Sequence, residues 1–416
     1  MSIPAGLPRF STDLPPFELK GRRLWPIVQG GMGVGVSAHR LAGAVAAQGA
    51  MGTIASVDLR RHHADLMDAS RHGAKAAVDA ANLEALDREI RGAKAIAQGR
   101  GAIAVNVMRA LSEYPAYVRR ACASGADAIV VGAGLPLDLP ELAADWPGVA
   151  LVPILSDARG IALVVRKWMR KGRLPDAIVI EHPRLAGGHL GAARIADLGD
   201  TRFDFENVIP QALAFLRSAG VEREVPLIAA GGIRRFEDIV RLQALGAAAV
   251  QLGTPFAVTV EGDAHPEFKR VLAEARDEDM VEFTSVAGLP ARAVATPWLK
   301  AYLRSVEKLQ AQAHAKRCQL EFDCLAQCGL RDGNPAWGQF CIDTHLAAAL
   351  RGEVNRGLFF RGVGALPFGS EIRSVRELMQ HLLTAAPASD AATPAAAGAA
   401  APAGTAPAVA GVGLGV

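Results

Sequence analysis

The sequence predicts a (β/α)8 barrel, on three observations. Short apolar runs alternate with longer segments of helical spacing, eight times within about 230 residues, a span that suits such a barrel. The runs are apolar throughout rather than at every second position, as in parallel strands covered on both faces. Two glycine-bearing turns close the seventh and eighth runs, where barrels of this kind commonly bind phosphate. A doubly wound open sheet uses the same alternation, but the paired turns would then share no role.

Strands are expected at 26–29, 52–56, 103–107, 128–131, 150–155, 177–181, 226–230 and 248–252. Helices are expected between them at 37–48, 83–98, 114–124, 139–145, 158–171, 205–218 and 236–245. The long connection 58–82, rich in His, Arg and Ala, reads as a partly helical excursion. From about Asp277 the repeat stops. Residues 298–316 read as a helix with an exposed face, 318–341 as a cysteine-bearing loop, and 344–351 and 375–384 as helices. The chain thus divides into a barrel over 14–276, a mostly helical C-terminal extension over 277–384, and a tail over 385–416. The tail is almost all Ala, Pro, Gly and Thr. It has too little large apolar surface to offset its ordering entropy and is expected to be disordered.

Half of the residues are hydrophobic and 21% are charged, so a large core can be buried. The formal net charge is +3 and the basic residues are scattered, which leaves no footprint for a nucleic acid. No run of strongly apolar side chains reaches the roughly 18 residues that span a bilayer. Residues 1–17 carry Pro4, Pro8, Pro15 and Pro16 and no apolar stretch of the signal-peptide kind, so no secretory signal and no membrane partner are expected. Five cysteines, Cys122, Cys318, Cys324, Cys328 and Cys341, are an odd number in a long chain, which fits reduced thiols in the cytoplasm. Zinc ribbons need two closer pairs and iron–sulfur sites need tighter runs, so no metal is expected. The oligomeric state is left open, a homo-oligomer included.

Four motifs carry the chemistry. The first is Gln29-Gly30-Gly31-Met32-Gly33-Val34-Gly35-Val36-Ser37, after the first strand. Glycine backbone there lets a flat or anionic ligand sit against exposed N–H groups. As a dinucleotide fingerprint its spacing fails, because the third glycine position is Val36, although Asp58 lies where a ribose-binding acid would fall. A tight turn with no ligand is the plainer reading. The second and third motifs are Gly231-Gly232 and Gly253-Thr254, which present N–H groups from neighbouring strands. The fourth is Gly187-Gly188-His189-Leu190-Gly191, after the sixth strand. A histidine between glycines at the catalytic face suits acid–base or electrostatic work near neutral pH. His182 lacks the glycine context and reads as structural.

Taken together, these motifs resemble the nitronate monooxygenase family, also called 2-nitropropane dioxygenase-like proteins. The resemblance runs over 14–383. It rests on Pro26-Ile27-Val28-Gln29-Gly30-Gly31-Met32-Gly33, Asn106, Val152-Pro153-Ile154, Ala186-Gly187-Gly188-His189, Ala229-Ala230-Gly231-Gly232-Ile233 and Val250-Gln251-Leu252-Gly253-Thr254. It implies a TIM barrel that binds FMN noncovalently. The phosphate would lie on Gly231, Gly232, Gly253 and Thr254, and the ring against Gly30, Gly31 and Met32, with Gln29 and Asn106 nearby. His189, carried by Gly187 and Gly188, would face the flavin. Protonated or hydrogen-bonding, it would hold a nitronate anion there for oxidation with O2 to a carbonyl compound and nitrite.

Three departures from the family pattern stand out. Pro255 replaces the usual Arg and removes a donor and a cation near the phosphate, which implies either weaker FMN binding or compensation by Arg234 or Arg235. Glu261-Gly262-Asp263-Ala264 replaces Glu-Cys-Asp-Ala. Glu181-His182-Pro183 replaces Glu-Gly-Pro, which sets a bulky titratable group beside the site. Two other functions share the motifs. One is an NAD(P)H-dependent FMN reductase acting on quinones or enoyl thioesters. The other is a non-catalytic flavin- or nucleotide-binding protein.

Overall fold

The structure, a computed structural model, describes residues 10–71, 74–315, 318 and 324–385. The expected disordered tail beyond Ala385, the Lys316 end of one expected helix and part of the cysteine loop lie outside the described residues.

An antiparallel hairpin, β1 (Phe17–Leu19) and β2 (Arg22–Leu24), comes first. There follow β3 (Ile27–Gln29), β4 (Met51–Ala55), β5 (Ala102–Met108), β6 (Ala128–Gly132), β7 (Ala150–Leu155) and β8 (Ile178–Glu181). The two-residue β9 (Gly188–His189) precedes β10 (Leu227–Ala230) and β11 (Ala249–Leu252). β12 (Met280–Thr284) and β13 (Pro290–Val294) come last. β3 to β8, β10 and β11 pair in parallel and close on themselves, β11 meeting β3, so the barrel is the observed fold.

Period-two alternation sorts each barrel strand into two packing layers. In β5, Ala102 and Ala104 face the barrel interior while Ile103, Val105 and Val107 meet the helices. The interior is narrow and filled largely by Ala and Val, with Phe17, Leu19 and Leu24 of the hairpin packed into the same cluster near the strand starts. The outer layer carries the larger side chains, among them Trp168, Tyr114 and Phe256, all fully buried.

The helices follow the expected order. Lys75–Ala97 starts eight residues earlier than expected, because the stretch before Leu83 has no helix breaker and buries Val78, Ala81 and Asn82. The excursion contains a short 3-10 turn, Leu59–His62, and the helix Ala64–Ala69.

No strand is expected after Asp277, yet β12 and β13 form a hairpin whose second strand pairs with β9. Alternation is absent there because all five residues of β13 are buried. The helix expected at 298–316 runs Pro297–Ala311, starts at a Thr296 cap, and buries Leu299 and Tyr302. Val375–Leu383 begins with a capping box in which Ser374 and Glu377 satisfy each other's backbone N–H.

Candidate active site

The carboxyl ends of the barrel strands open into one cavity of about 780 Å³. Gly30, Gly31, Met32, Asn106, Gly187, Gly188, His189, Gly231, Gly232, Gly253 and Thr254 all line it. Gln29 does not. Val28 faces the barrel interior, so the next residue turns outward. The Gln29 Oε1 accepts from the Thr53 N–H at 2.8 Å, and its Nε2 donates to the Thr53 carbonyl at 3.0 Å and to the Gly30 carbonyl. Gln29 is therefore a clamp between strands that fixes the Gly30 turn, which corrects its expected place beside the ring.

Alternation also sets which polar groups reach the cavity. Asn106, Glu181 and Gln251 stand two residues beyond the inward-facing Ala104, Val179 and Ala249, and all three line it. A Cβ on Gly31 would lie 3.0 Å from the Asn106 Cγ, and one on Gly30 would lie 3.3 Å from the Gln251 side chain. Two glycines thus leave a bare backbone floor against those amides.

His189 is held twice. Its backbone pairs with Ala291 of β13, one step from the Gly188–Arg292 pair. Arg292, 2% exposed, bonds Glu282 and the carbonyls of Pro183 and Ala186, which pins the loop leading to the histidine. The ring Nε2 lies 3.0 Å from the Ser285 Oγ, and Phe360 lies 5.8 Å away centroid to centroid. The Nδ1 has no protein partner among the described residues. Burial pushes the His189 pKa down to about 4, so the imidazole is neutral at neutral pH. This narrows the expectation of a protonated or hydrogen-bonding group to the second role. Glu181 has no hydrogen bond or ion pair among the described residues, and burial pushes its pKa up to about 7.

The glycine-turn end carries positive charge. Gly231 and Gly232 adopt φ of +114° and +74°, which only glycine takes readily. Arg361 and Arg234 both line the cavity beside them. Arg361 is 2% exposed; its Nε donates to the Leu272 carbonyl at 2.8 Å, its Nη1 to Gly362 at 2.8 Å and its Nη2 to Gly364 at 3.1 Å. No carboxylate lies within ion-pair distance of it among the described residues; burial pushes its pKa down and Arg234 adds to this, against the attraction of Asp277 and Asp279. A buried cation whose hydrogen bonds all go to carbonyls gains from a further anion that reaches its remaining donors. Of the two arginines expected to offset Pro255, Arg234 is in place. Arg235 is exposed beside Glu237 and Asp238.

Two further residues stand outside the cavity. His182 alternates outward from Glu181, with its Nε2 3.2 Å from the Asp204 Oδ1 and its ring edge-on to Phe205. It does not line the cavity. Asp58 is buried with Arg60 at 2.7 Å and Arg61 at 2.5 Å, away from the cavity, so it cannot serve as a ribose acid. Among the described residues no His, Cys, Asp and Glu group is arranged to hold a metal, and no helix is long and apolar enough to cross a membrane.

Comparison with known proteins bears on the family and the fold. A sequence profile described as nitronate monooxygenase matches residues 20–385. A probable nitronate monooxygenase of Bacillus subtilis (strain 168) is 33% identical over 125 residues, 30% of this chain and 33% of that protein. A second, of Staphylococcus saprophyticus, is 30% identical over 118 residues, 28% of this chain and 31% of that protein. Both matches span about a third of the relative. The nitroalkane oxidase of Streptomyces ansochromogenes superposes with a TM-score of 0.61 at 19% identity, covering 88% of this chain and 95% of that one. FabK of Thermotoga maritima gives 0.58 at 20%, covering 86% and 91%. At such identity the structural likeness concerns the fold alone.

Proposed function

The chain belongs to the nitronate monooxygenase family, and on that premise we propose that it is an FMN-dependent oxidoreductase that oxidises alkyl nitronates with O2. The cavity suits FMN at both ends. Gly231, Gly232, Gly253 and Thr254, with Arg361 and Arg234, offer donors and charge to a phosphate. Gly30 and Gly31 offer a flat floor, with Asn106 and Gln251 supplying amides at its edge. When bound there, FMN would supply the redox chemistry that links oxidation of a nitronate to reduction of O2, with a carbonyl compound and nitrite as products.

The observation that carries the reading is His189, which lines the cavity with its Nε2 against the Ser285 hydroxyl and no protein partner for its Nδ1 among the described residues. With the Ser285 hydroxyl donating to Nε2, the Nδ1 carries the proton and donates it in a hydrogen bond to a nitronate oxygen. The hydroxyl oxygen of Ser285 accepts from the Ala287 N–H at 3.3 Å, which leaves its proton for the imidazole. Glu181, protonated up to about pH 7, adds no negative charge against an anionic substrate below that pH. The apolar walls, Ile154, Leu185, Leu358 and Phe360 among them, keep water from the reacting carbon.

A nitronate added to air-equilibrated, flavin-loaded protein is expected to yield nitrite without NADH or NADPH. Nitrite no greater than that of a His189→Ala control would sink the proposal. Rapid anaerobic bleaching of the flavin by NADH or NADPH would point instead to a reductase.

A further inference from the structure

Four of the cysteines gather at one wall of the cavity. Cys324 lines it, and so does Ile342, the neighbour of Cys341. The segment that carries them is tied to the fold at several points. The Ala326 N–H donates to the Ala110 carbonyl at 2.9 Å, and Leu325 bridges to Leu111 on the loop after β5. Twelve residues separate Cys328 from Cys341 along the chain. Both ends of that loop rest on the turn between β12 and β13: the Gly329 N–H donates to the Val286 carbonyl at 2.7 Å and the Gly338 N–H to the Ser285 carbonyl at 3.0 Å. Gln339 closes the loop on itself, its Nε2 donating to the Gly329 carbonyl at 3.1 Å and the Asn334 carbonyl at 2.7 Å. Cys328 and Cys341 are thereby drawn together. Cys318, Cys328 and Cys341 all lie near enough to Cys324 to act on its thiol electrostatically, and Cys318 acts on the other two as well.

Four uses compete for such a group. Cysteines that merely pack are best fully buried, but Cys318, Cys324 and Cys341 are only partly so. A reactive thiol or a disulfide switch works through the thiolate. Burial pushes the thiols of Cys324, Cys328 and Cys341 up, away from the thiolate at neutral pH, and none of them is in a disulfide. A single tetrahedral ion with Zn–S bonds of about 2.3 Å needs sulfurs about 3.8 Å apart. No group among the described residues is arranged to hold one ion. A four-iron cluster is a larger body, bound through one thiolate on each iron, and takes sulfurs set wider. The Thr344 hydroxyl donates to the Cys341 sulfur at 3.1 Å, a bond that favours a ligating thiolate. The surrounding charge is mixed: Asp343, which acts on Cys324 and Cys341, is held by Arg61, and Arg331 donates to the Leu325 carbonyl at 2.6 Å and the Ala326 carbonyl at 3.0 Å.

We propose that Cys318, Cys324, Cys328 and Cys341 are the ligands of a four-iron, four-sulfide cluster set against the cavity wall. The expectation of no metal rests on spacing along the chain, and the folded loop shortens the longest of those gaps. The site stands whatever the substrate is. A preformed cluster carried on small thiolates enters by ligand exchange. Each cysteine gives its proton to a departing thiolate and takes its place on an iron, with no change in oxidation state.

The full-length chain with FMN bound is loaded with such a cluster in the absence of oxygen and desalted, and its iron and acid-labile sulfide are counted. About four of each per chain are expected. Dithionite should then add one electron and give an electron paramagnetic resonance signal distinct from that of a flavin radical. Cys328→Ala and Cys341→Ala should each lose most of the iron while circular dichroism and FMN content are kept, and Cys122→Ala should keep its iron. If Cys328→Ala does not fold, Cys318→Ala and Cys341→Ala, at partly exposed positions, carry the same comparison. A wild-type chain that emerges without iron overturns the proposal, as does iron that the Cys318, Cys328 and Cys341 variants retain.

Discussion

Replacing Arg361 with methionine should separate FMN from riboflavin. The guanidinium has five N–H donors, and three are committed to the carbonyls of Leu272, Gly362 and Gly364. Two remain, in a group that is 2% exposed and unpaired with any carboxylate among the described residues. A hydrogen bond to a charged group contributes about 1.5–3 kcal/mol, which is about 10- to 150-fold in Kd. Methionine fills a similar length without charge. The three carbonyls lose their donors, so the loop loosens and both flavins bind somewhat less well. The ratio of the two affinities cancels that shared loss. Apoprotein titrated with FMN and with riboflavin, followed by quenching of flavin fluorescence, should show the FMN preference fall by about 10- to 150-fold in Arg361→Met. Arg361→Lys keeps the charge and should retain part of it. An unchanged FMN-to-riboflavin ratio in Arg361→Met would refute the reasoning, because the buried cation would then serve the loop alone.

Three other outcomes are expected. Gly187→Ala places a Cβ 2.7 Å from the Arg361 carbonyl oxygen, against backbone that cannot swing aside, so the purified variant should hold less than a tenth of the normal flavin per chain. With the Glu181 pKa near 7, kcat/KM for a nitronate should fall as pH rises through about 7, because the ionised carboxylate then faces an anion; Glu181→Gln should abolish that limb and leave the acidic side unchanged. Ser285→Ala removes one hydrogen bond to His189, worth about 1 kcal/mol, so kcat should drop about fivefold at unchanged flavin content; a normal kcat would show that the ring is positioned by β9 and β13 without the hydroxyl.

The barrel was legible because its signal is local. Each strand is a short apolar run between helical segments, and the observed strand limits fall within a residue or so of the expected ones. The cavity's glycine turns were legible for the same reason. What sequence missed comes from two other sources. One is alternation at strand ends: Val28 and Val179 face inward, so Gln29 turns away and Glu181 turns in, a count that the sequence allows but that needs the inward face to be known. The other is distance along the chain. Ser285 lies 96 residues from His189, and no spacing rule connects a serine in the turn of an unsignalled hairpin to a histidine after the sixth barrel strand. Arg361 is the same case, a cation brought to the glycine turns by the closing segment near Gly362.

These late arrivals show why the region after Asp277 belongs to the chemistry. A two-residue strand such as β9 cannot hold its own conformation, because each residue fixed costs about 1–2 kcal/mol of backbone entropy. Pairing with β13, itself buttressed by β12, supplies the missing order, and Ser285 at the end of that hairpin aims the ring. The same region sets the charge pattern. Arg361 joins Arg234 at the glycine turns, while His189 is neutral and Glu181 is uncharged below about pH 7. On the proposed function, a phosphate would be drawn to the glycine turns by these cations, while His189 would offer an anionic substrate a neutral donor.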